Sequence, residues 1–517
     1  MGLLTLLILI PLVGAALLHF IKDAKAANIF TLAVSLVTFA VSLVLYFQFD
    51  QKLEGFQFQE KLPWITSKTI AITYFLGLDG MSMLLVLLTT FLMVIALIGT
   101  WNSVNKKIPG LMALLLLLEA GMIGVFCSLD LFLFYIFWEL ILIPMYFIIG
   151  IWGGERRIYA AVKFFIYTLA GSLFMLVAII WLGIAASKVT GVFTTDLTTL
   201  LAIAPRLPMD VQNYLFWAFA VSFAIKVPLF PLHTWLPDAH VEAPTIGSVI
   251  LAGVLLKMGT YGLIRFNLGL FPQASIDYAS IICIFAVISI IYGALVAMVQ
   301  TDIKKLIAYS SVTHMGFIVL GIFSMTREGL QGAVIQMVNH GLSTGMLFMM
   351  FGMMYERRHT RAISEYGGLA KITPHFAVFF AIAMLSSVGL PGLNGFVGEY
   401  LTLMGAFQSS VLHSWSYAIF SSTGVILAAV YLLWMYQRFM MGPITHEENR
   451  HVKDLSKREI ISLVPLVIFM VWIGIQPMSF MKVSEKGMNT LSNSLLGPKP
   501  EKTSEYQVVA PKVTINR

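Results

Sequence analysis

The sequence predicts an all-α polytopic membrane protein with about 14 transmembrane helices, and three observations lead there. Of 517 residues, 58% are hydrophobic and 11% charged, whereas soluble domains run near ~25% charged. The apolar residues gather into runs of bilayer-spanning length, about 18–25 residues. Basic residues favour alternate loops, as the positive-inside rule requires of a chain that crosses repeatedly.

The runs fall at 2–21, 28–47, 79–100, 110–128, 131–151, 161–185, 213–232, 244–267, 278–300, 303–323, 330–354, 374–408, 414–440 and 459–480. The first is long enough to span and lacks the basic leader of a cleaved signal. Residues 48–77, rich in Gln, Glu and Lys, read as a polar loop, and 481–517, with Pro498, Pro500 and Pro511, as an extended polar tail. Loops after odd-numbered spans hold the pairs Lys106–Lys107, Arg156–Arg157, Lys304–Lys305 and Arg357–Arg358, while those after even-numbered spans hold scattered residues such as Lys188 and Arg206. This asymmetry places both termini on the non-cytoplasmic side.

Two spans are interrupted. The run 213–232 is broken by Pro228 and Pro231, and 374–408 by G-L-P-G-L-N-G at 389–395. Five spans from the fourth and five from the ninth form two blocks, each with its broken helix fourth. An odd number of crossings makes the second block enter from the opposite side, which predicts two five-helix inverted repeats built around discontinuous helices. The organisation is then a three-helix segment at 1–105, repeats at 106–268 and 269–440, and a last span with its tail at 441–517.

The net charge of +7 is spread over short loops without a basic block, which argues against a nucleic-acid partner. Cys127 and Cys283 lie far apart in apolar runs, with no CxxC for an iron–sulfur or disulfide role. His233, Asp238, His240 and Glu242 lack the spacing of a metal site and read instead as a Pro-rich cytoplasmic turn. No metal or cofactor site is expected, and no soluble domain houses hydrolytic catalysis.

Ionisable residues inside the spans carry the functional signal, because a charge at mid-membrane costs about 2.5–3.5 kcal/mol on insertion scales. Glu139, in F-Y-I-F-W-E-L, and Lys226, two residues before Pro228, offer a carboxylate–ammonium pair whose protonation can be switched by a neighbouring charge. His233 lies seven residues beyond Lys226 and would share its face if the helix continued. Lys257 is a second buried ammonium in the next span. His314 and His340 follow in consecutive spans, and an imidazole both donates and accepts, as a proton wire requires. Glu399 follows the second break and is the candidate for terminal proton exchange. Glu119, in L-L-L-L-L-E-A-G-M, is a further intramembrane carboxyl, feeding Glu139 or facing a neighbour. A scaffold whose charges only lock helices together is the competing reading.

The stretches W-E-L-I-L-I-P-M-Y, K-V-P-L-F-P-L-H-T-W-L-P-D-A-H-V-E-A-P-T, L-L-K-M-G-T-Y-G and G-L-P-G-L-N-G-F-V-G-E resemble the antiporter-like membrane subunits of respiratory complex I. The resemblance covers about residues 70–440. It implies a proton-translocating membrane-arm subunit of NADH:quinone oxidoreductase in a bacterial inner membrane, with Glu139 and Lys226 as the charge pair, Lys257, His314 and His340 carrying protons, and Glu399 exchanging them. It implies partners in the neighbouring antiporter-like chains L and N and the lateral helix of chain L, and lipid around the whole. FMN, iron–sulfur clusters and quinone would belong to partner subunits. Glu399 stands where chains L and N typically carry lysine, and a long C-terminal lateral helix like that of chain L is not expected here. A subunit of a multisubunit Na+/H+ antiporter shares the fold and is the alternative.

Overall fold

The computed structural model describes residues 2–497, and every predicted span has a helical counterpart there. Eleven helices are long and apolar enough to cross a membrane. The other three predicted spans are the unusual ones. Met209–Lys226 stops at the first proline break. Arg327–Arg358 carries Gln336, Asn339 and His340 in its interior. The twelfth is split into Pro374–Val388 and Asn394–Gln408. The helices begin where side chains satisfy the free first-turn amides. Asp79, Asp130, Asp302 and Thr326 accept from amides of the helices that follow them, and Ser456 with Glu459 closes a capping box.

Three helices form the buried centre. Thr245–Leu268 is buried but for Thr245 and Arg265, which are partly so, and Ile303–Phe323 is nearly all buried, and Arg327–Arg358 is buried from Ala333 to Met354. They carry Lys257, His314 and His340, so the costliest polar groups face protein and not lipid. Leu3–Phe20, Ala24–Gln48 and Ser416–Met440 present most of their surface outward, with exposed residues such as Phe20, Phe47 and Ile426.

Both breaks reconnect the backbone groups they release, as a membrane interior demands. At the first, the Trp235 indole donates to Ile225 O (2.8 Å) and Ser289 Oγ accepts from Phe230 N (2.9 Å). At the second, Gly389 adopts φ +83° and a Cβ there would lie 3.0 Å from Glu399 Oε2, so glycine allows both the turn and the approach of the carboxylate. Asn394 then ties the break to the central helix: Asn339 Nδ2 donates to Asn394 O (2.7 Å) and Asn394 Nδ2 to Asn339 O (3.3 Å).

Three expectations are corrected. The segment read as a polar loop is largely a hairpin, Gln57–Thr66 antiparallel to Ile70–Leu78, because its I-A-I-T-Y-F-L stretch is β-branched and aromatic and buries one end. The supposed Pro-rich turn contains the helix Trp235–Glu242, with His240 fully buried. The tail begins as the helix Met478–Leu496, whose buried Met481, Ser484, Met488, Ser492 and Leu495 recur at helical spacing. The remainder of the tail, with Pro498, Pro500 and Pro511, lies outside the described residues.

Asp130 joins these parts. It caps Leu131–Leu140, accepts from Thr73 N (3.2 Å) in the hairpin, and from Thr195 Oγ1 (2.7 Å), which directly follows the short strand Phe193–Thr194 paired with that hairpin. Asp130→Ala is expected to cost about 2 kcal/mol, the upper range for a lost cap, read as a lower thermal midpoint of the purified assembly. Asp130→Asn should recover most of the loss.

Candidate functional site

The three buried helices and the second break bring four titratable side chains into one line. Lys257 donates through Nζ to Ala252 O and meets His340 Nδ1 at 2.6 Å. The His340 ring lies 5.6 Å, centroid to centroid, from that of His314. His314 Nδ1 in turn meets Glu399 Oε1 at 2.8 Å. Lys257 and Glu399 are thus joined through two imidazoles, with all four residues at most 3% exposed. Gln336 Nε2 also reaches Glu399 Oε1 (3.3 Å), and Asn339 Nδ2 holds Gln336 Oε1 (3.3 Å).

Local backbone geometry helps to place Lys257. It sits between two π-helical turns, Leu251–Leu255 and Leu263–Leu268. A π-turn widens the ring of backbone bonds by one residue, and here the ammonium binds a carbonyl of the first such turn. A proton wire would need groups that both accept and release a proton. His314 Nε2 and His340 Nε2 are buried without a hydrogen-bond partner, so each ring keeps one nitrogen for exchange.

Glu139 and Lys226 form a second centre of a different kind. No direct ion pair joins them. Lys226 Nζ and Glu139 Oε1 are both without hydrogen-bond partners, yet each feels the other's charge. The ammonium rests on aromatic faces, 5.2 Å from the Trp138 ring centroid and 5.7 Å from that of Phe164, which partly replaces its lost hydration. Tyr135 and Ser172 stand beside the Glu139 carboxylate. The expected pair is therefore electrostatically coupled without contact. The helix of Lys257 packs tightly on the end of the Lys226 helix: a Cβ on Gly259 would lie 2.8 Å from Phe223 O.

His233 does not share the Lys226 face, because the helix ends at Lys226. It lies in the turn before Trp235, stacked on Phe230 (5.7 Å) and edge-on to Tyr292 (5.2 Å) and Tyr309 (6.3 Å). Glu119 also lies apart from the line, bonded to Ser35 on another helix. The four residues weighed as a metal cluster diverge: Asp238 pairs with Lys163 (2.7 Å) and Glu242 lies 3.8 Å from Arg361. Among the described residues no three His, Cys, Asp or Glu side chains converge on a metal-sized site.

Two residues escaped the sequence reading. His240 is fully buried with both ring nitrogens unpartnered, stacked on Phe348 at 4.5 Å, and close enough to Lys257 and Lys304 to feel both charges. Lys304 donates to Ala243 O (2.5 Å) and Val241 O (3.3 Å) and lines a cavity of about 180 Å³ with Glu242, Glu356 and Arg361. This cavity lies among the basic loops. Both carry a signal in the sequence, His240 as a titratable residue beside a break that reads as a Pro-rich cytoplasmic turn, and Lys304 as a lysine at the start of the 303–323 span.

A multi-helix membrane fold with broken helices and a buried lysine–histidine–histidine–glutamate line defines an ion-translocating, antiporter-like subunit. The chain belongs to the NADH:quinone oxidoreductase/Mrp antiporter transmembrane family, whose model matches residues 128–427. It is 44% identical to NADH-quinone oxidoreductase subunit M of Rickettsia prowazekii over 489 residues, 94% of this chain and 97% of that one. It is 42% identical to NADH-ubiquinone oxidoreductase chain 4 of Arabidopsis thaliana, over 94% of this chain and 96% of the other. Among solved structures, a chain of respiratory complex I from Thermus thermophilus with bound NADH superposes with a TM-score of 0.85 at 32% identity, covering 95% of this chain and 99% of that chain.

The Glu399 environment depends on close backbone packing. A Cβ on Gly398 would lie 2.2 Å from Gln336 Oε1. Gly398→Ala is expected to displace Gln336 and slow coupled quinone reduction about tenfold, a change of ~1.4 kcal/mol, with the assembly intact on native gels.

Proposed function

We propose that the chain is a proton-translocating membrane-arm subunit of NADH:quinone oxidoreductase, moving protons along its buried line while quinone reduction in other subunits supplies the drive. The Lys257–His340 and His314–Glu399 hydrogen bonds, with the two imidazoles 5.6 Å apart between them, are the observation that carries this reading. Protons enter from the basic, cytoplasmic end through the cavity at Lys304 and Glu242 and reach Lys257 and His340 by way of His240. A proton delivered to His340 passes to His314 by imidazole rotation or an intervening water, and from His314 Nδ1 to Glu399. Glu399 releases it toward Tyr431, whose hydroxyl stands beside Ser310 and Thr313.

The Glu139–Lys226 centre sets when this happens. When Glu139 draws the charge of Lys226 toward itself, the field on Lys257 falls and Lys257 holds its proton. When Glu139 is neutralised, the unpaired ammonium repels that proton along the line. Such coupling links a remote event to the wire through two-state electrostatic elements. His233 takes a supporting place at the break, where Tyr309 joins it.

The same reading puts the chain in a bacterial inner membrane with both termini on the non-cytoplasmic side. Its neighbours would be antiporter-like chains L and N and the lateral helix of chain L. Flavin, iron–sulfur clusters and quinone sit in other subunits, and this chain supplies the proton path alone. The 42–44% identity to complex I subunits over nearly the whole chain favours this over a Na+/H+ antiporter subunit.

Lys226→Ala, Glu139→Ala and Lys257→Ala should each lower proton pumping and inhibitor-sensitive quinone reduction several-fold, while NADH oxidation by an artificial acceptor persists. Pumping at the native rate in an assembled variant would remove that residue from the mechanism. Glu399→Gln keeps the hydrogen bonds and loses the exchangeable charge, so it should impair pumping more than assembly. A small all-membrane assembly with sodium-dependent proton exchange and no NADH activity would move the chain to antiporter function.

A further inference from the structure

Glu119 is a buried carboxyl that the line does not use. It is fully buried in the helix Ile108–Cys127, where an uncompensated charge is expensive. Oε2 accepts from Ser35 Oγ (2.9 Å), across to the helix Ala24–Gln48, and Oε1 has no hydrogen-bond partner. No charged or titratable side chain of the elements packed against its helix, Leu3–Leu17, Ala24–Gln48, Ile70–Leu78, Gly80–Gly99, the helices of 131–152 and Leu256–Gly262 with Lys257, acts on it.

Ser35 belongs to a row of buried hydroxyls, Thr31, Ser35, Thr38 and Ser42, each 0% exposed. Their spacing of four, three and four residues puts them on one helix face. Thr38 and Ser42 bond to carbonyls of their own helix, Val34 O and Phe39 O, as packed Ser and Thr commonly do in membranes. Thr31 does not, and its buried Oγ1 is unpartnered. One turn earlier, Asn28 lines a small cavity with Thr100, Ser103 and Met112. Its rim residues Asn28, Trp101 and Ser103 are half-buried, so it opens on the loop that carries Lys106 and Lys107.

The register is informative. Asn28 precedes Ser35 by seven residues, as Met112 precedes Glu119, so the two helices run side by side in one direction. The cavity therefore lies about 10 Å from the carboxyl along the helix axes, at a rise of ~1.5 Å per residue. Asn28, Thr31 and Ser35 divide that distance into steps of one helical turn, about 5–6 Å each. That is too long for one hydrogen bond and right for a single bridging water.

We propose that Glu119 is a reversible proton-binding site separate from the relay line, loaded from the basic end through the Asn28 cavity and the Thr31–Ser35 hydroxyls. A hydronium in the cavity gives up its proton along the hydroxyls, Ser35 Oγ–H passes its proton to Glu119 Oε2 and takes one from the bridging water behind it, and water is left in the cavity. The reverse transfer returns the proton to the same side. The site does not depend on the redox reading of the chain, because it needs only a membrane and water at the basic end.

Infrared difference spectroscopy on the purified assembly, transferred from H2O to D2O, tests this directly. The native assembly should show a carboxylic-acid C=O band that shifts on deuteration and is missing in Glu119→Gln. Thr31→Val should retain the band and slow its shift about five- to tenfold, the weight of one lost hydrogen-bonded station. Ser35→Ala keeps the carboxyl and removes its bond, so it should move the band and assigns it even where Glu119→Gln fails to assemble. A spectrum unchanged by Glu119→Gln and Ser35→Ala would show that Glu119 holds no exchangeable proton. Exchange as fast in Thr31→Val and Asn28→Leu as in the native assembly would overturn the route.

Discussion

A lysine amine buried among hydrocarbon side chains is the constraint on which the rest of the structure depends. Lys257 has no carboxylate beside it. It is tolerated because a carbonyl of a widened helical turn and the His340 ring accept from its ammonium. Both partners require special backbone. The carbonyl comes from a π-turn, and the imidazole is held on a long helix too polar in its interior to face lipid. The three buried helices surround Lys257, and the outer helices shield those three from the bilayer.

The two breaks make the same physical point. A helix that stops inside a membrane exposes carbonyls and amides that nothing in lipid can satisfy, so each break costs stability unless side chains repair it. Here the repairs come from the functional neighbourhood itself: Trp235 and Ser289 at the first break, Asn339 and Asn394 at the second. The groups that mend the backbone also fix Lys226 and Glu399 in place. Structural and functional roles are therefore coupled in these residues, and a helix-locking scaffold would not need His314 and His340 to form a contiguous path between a lysine and a glutamate.

Much of this was legible in the sequence for stated reasons. Apolar runs gave the spans, prolines and glycines gave the breaks, and ionisable residues within apolar runs gave Lys226, Lys257, His314, His340 and Glu399. What stayed hidden depends on partners distant in the chain. The contact between Lys257 and His340 spans 83 residues and has no local signature. The Glu139–Lys226 pair was expected as a contact, but aromatic faces occupy the space beside the ammonium. The segment 48–77 reads as a loop because Gln, Glu and Lys crowd it, with Gln59, Glu60 and Lys61 in succession on the first strand. The helix Met478–Leu496 reads as a tail because its buried Met481, Met488 and Leu495 are separated by mostly polar residues and form no apolar run. His240 was misplaced because a proline-rich segment was taken to be exposed, whereas the neighbouring helices enclose it.

The most direct test of the relay is the number of protons moved per quinone reduced, measured with a pH-sensitive dye in proteoliposomes holding the assembly with His340→Leu. Leucine fills the space of the ring and removes both nitrogens, so the wire is cut while the packing is largely kept. The account predicts a lower proton-to-electron ratio in assembled, NADH-oxidising complex. A native ratio at native turnover would show that protons reach Glu399 by a path that does not pass through the imidazoles, and would contradict the relay.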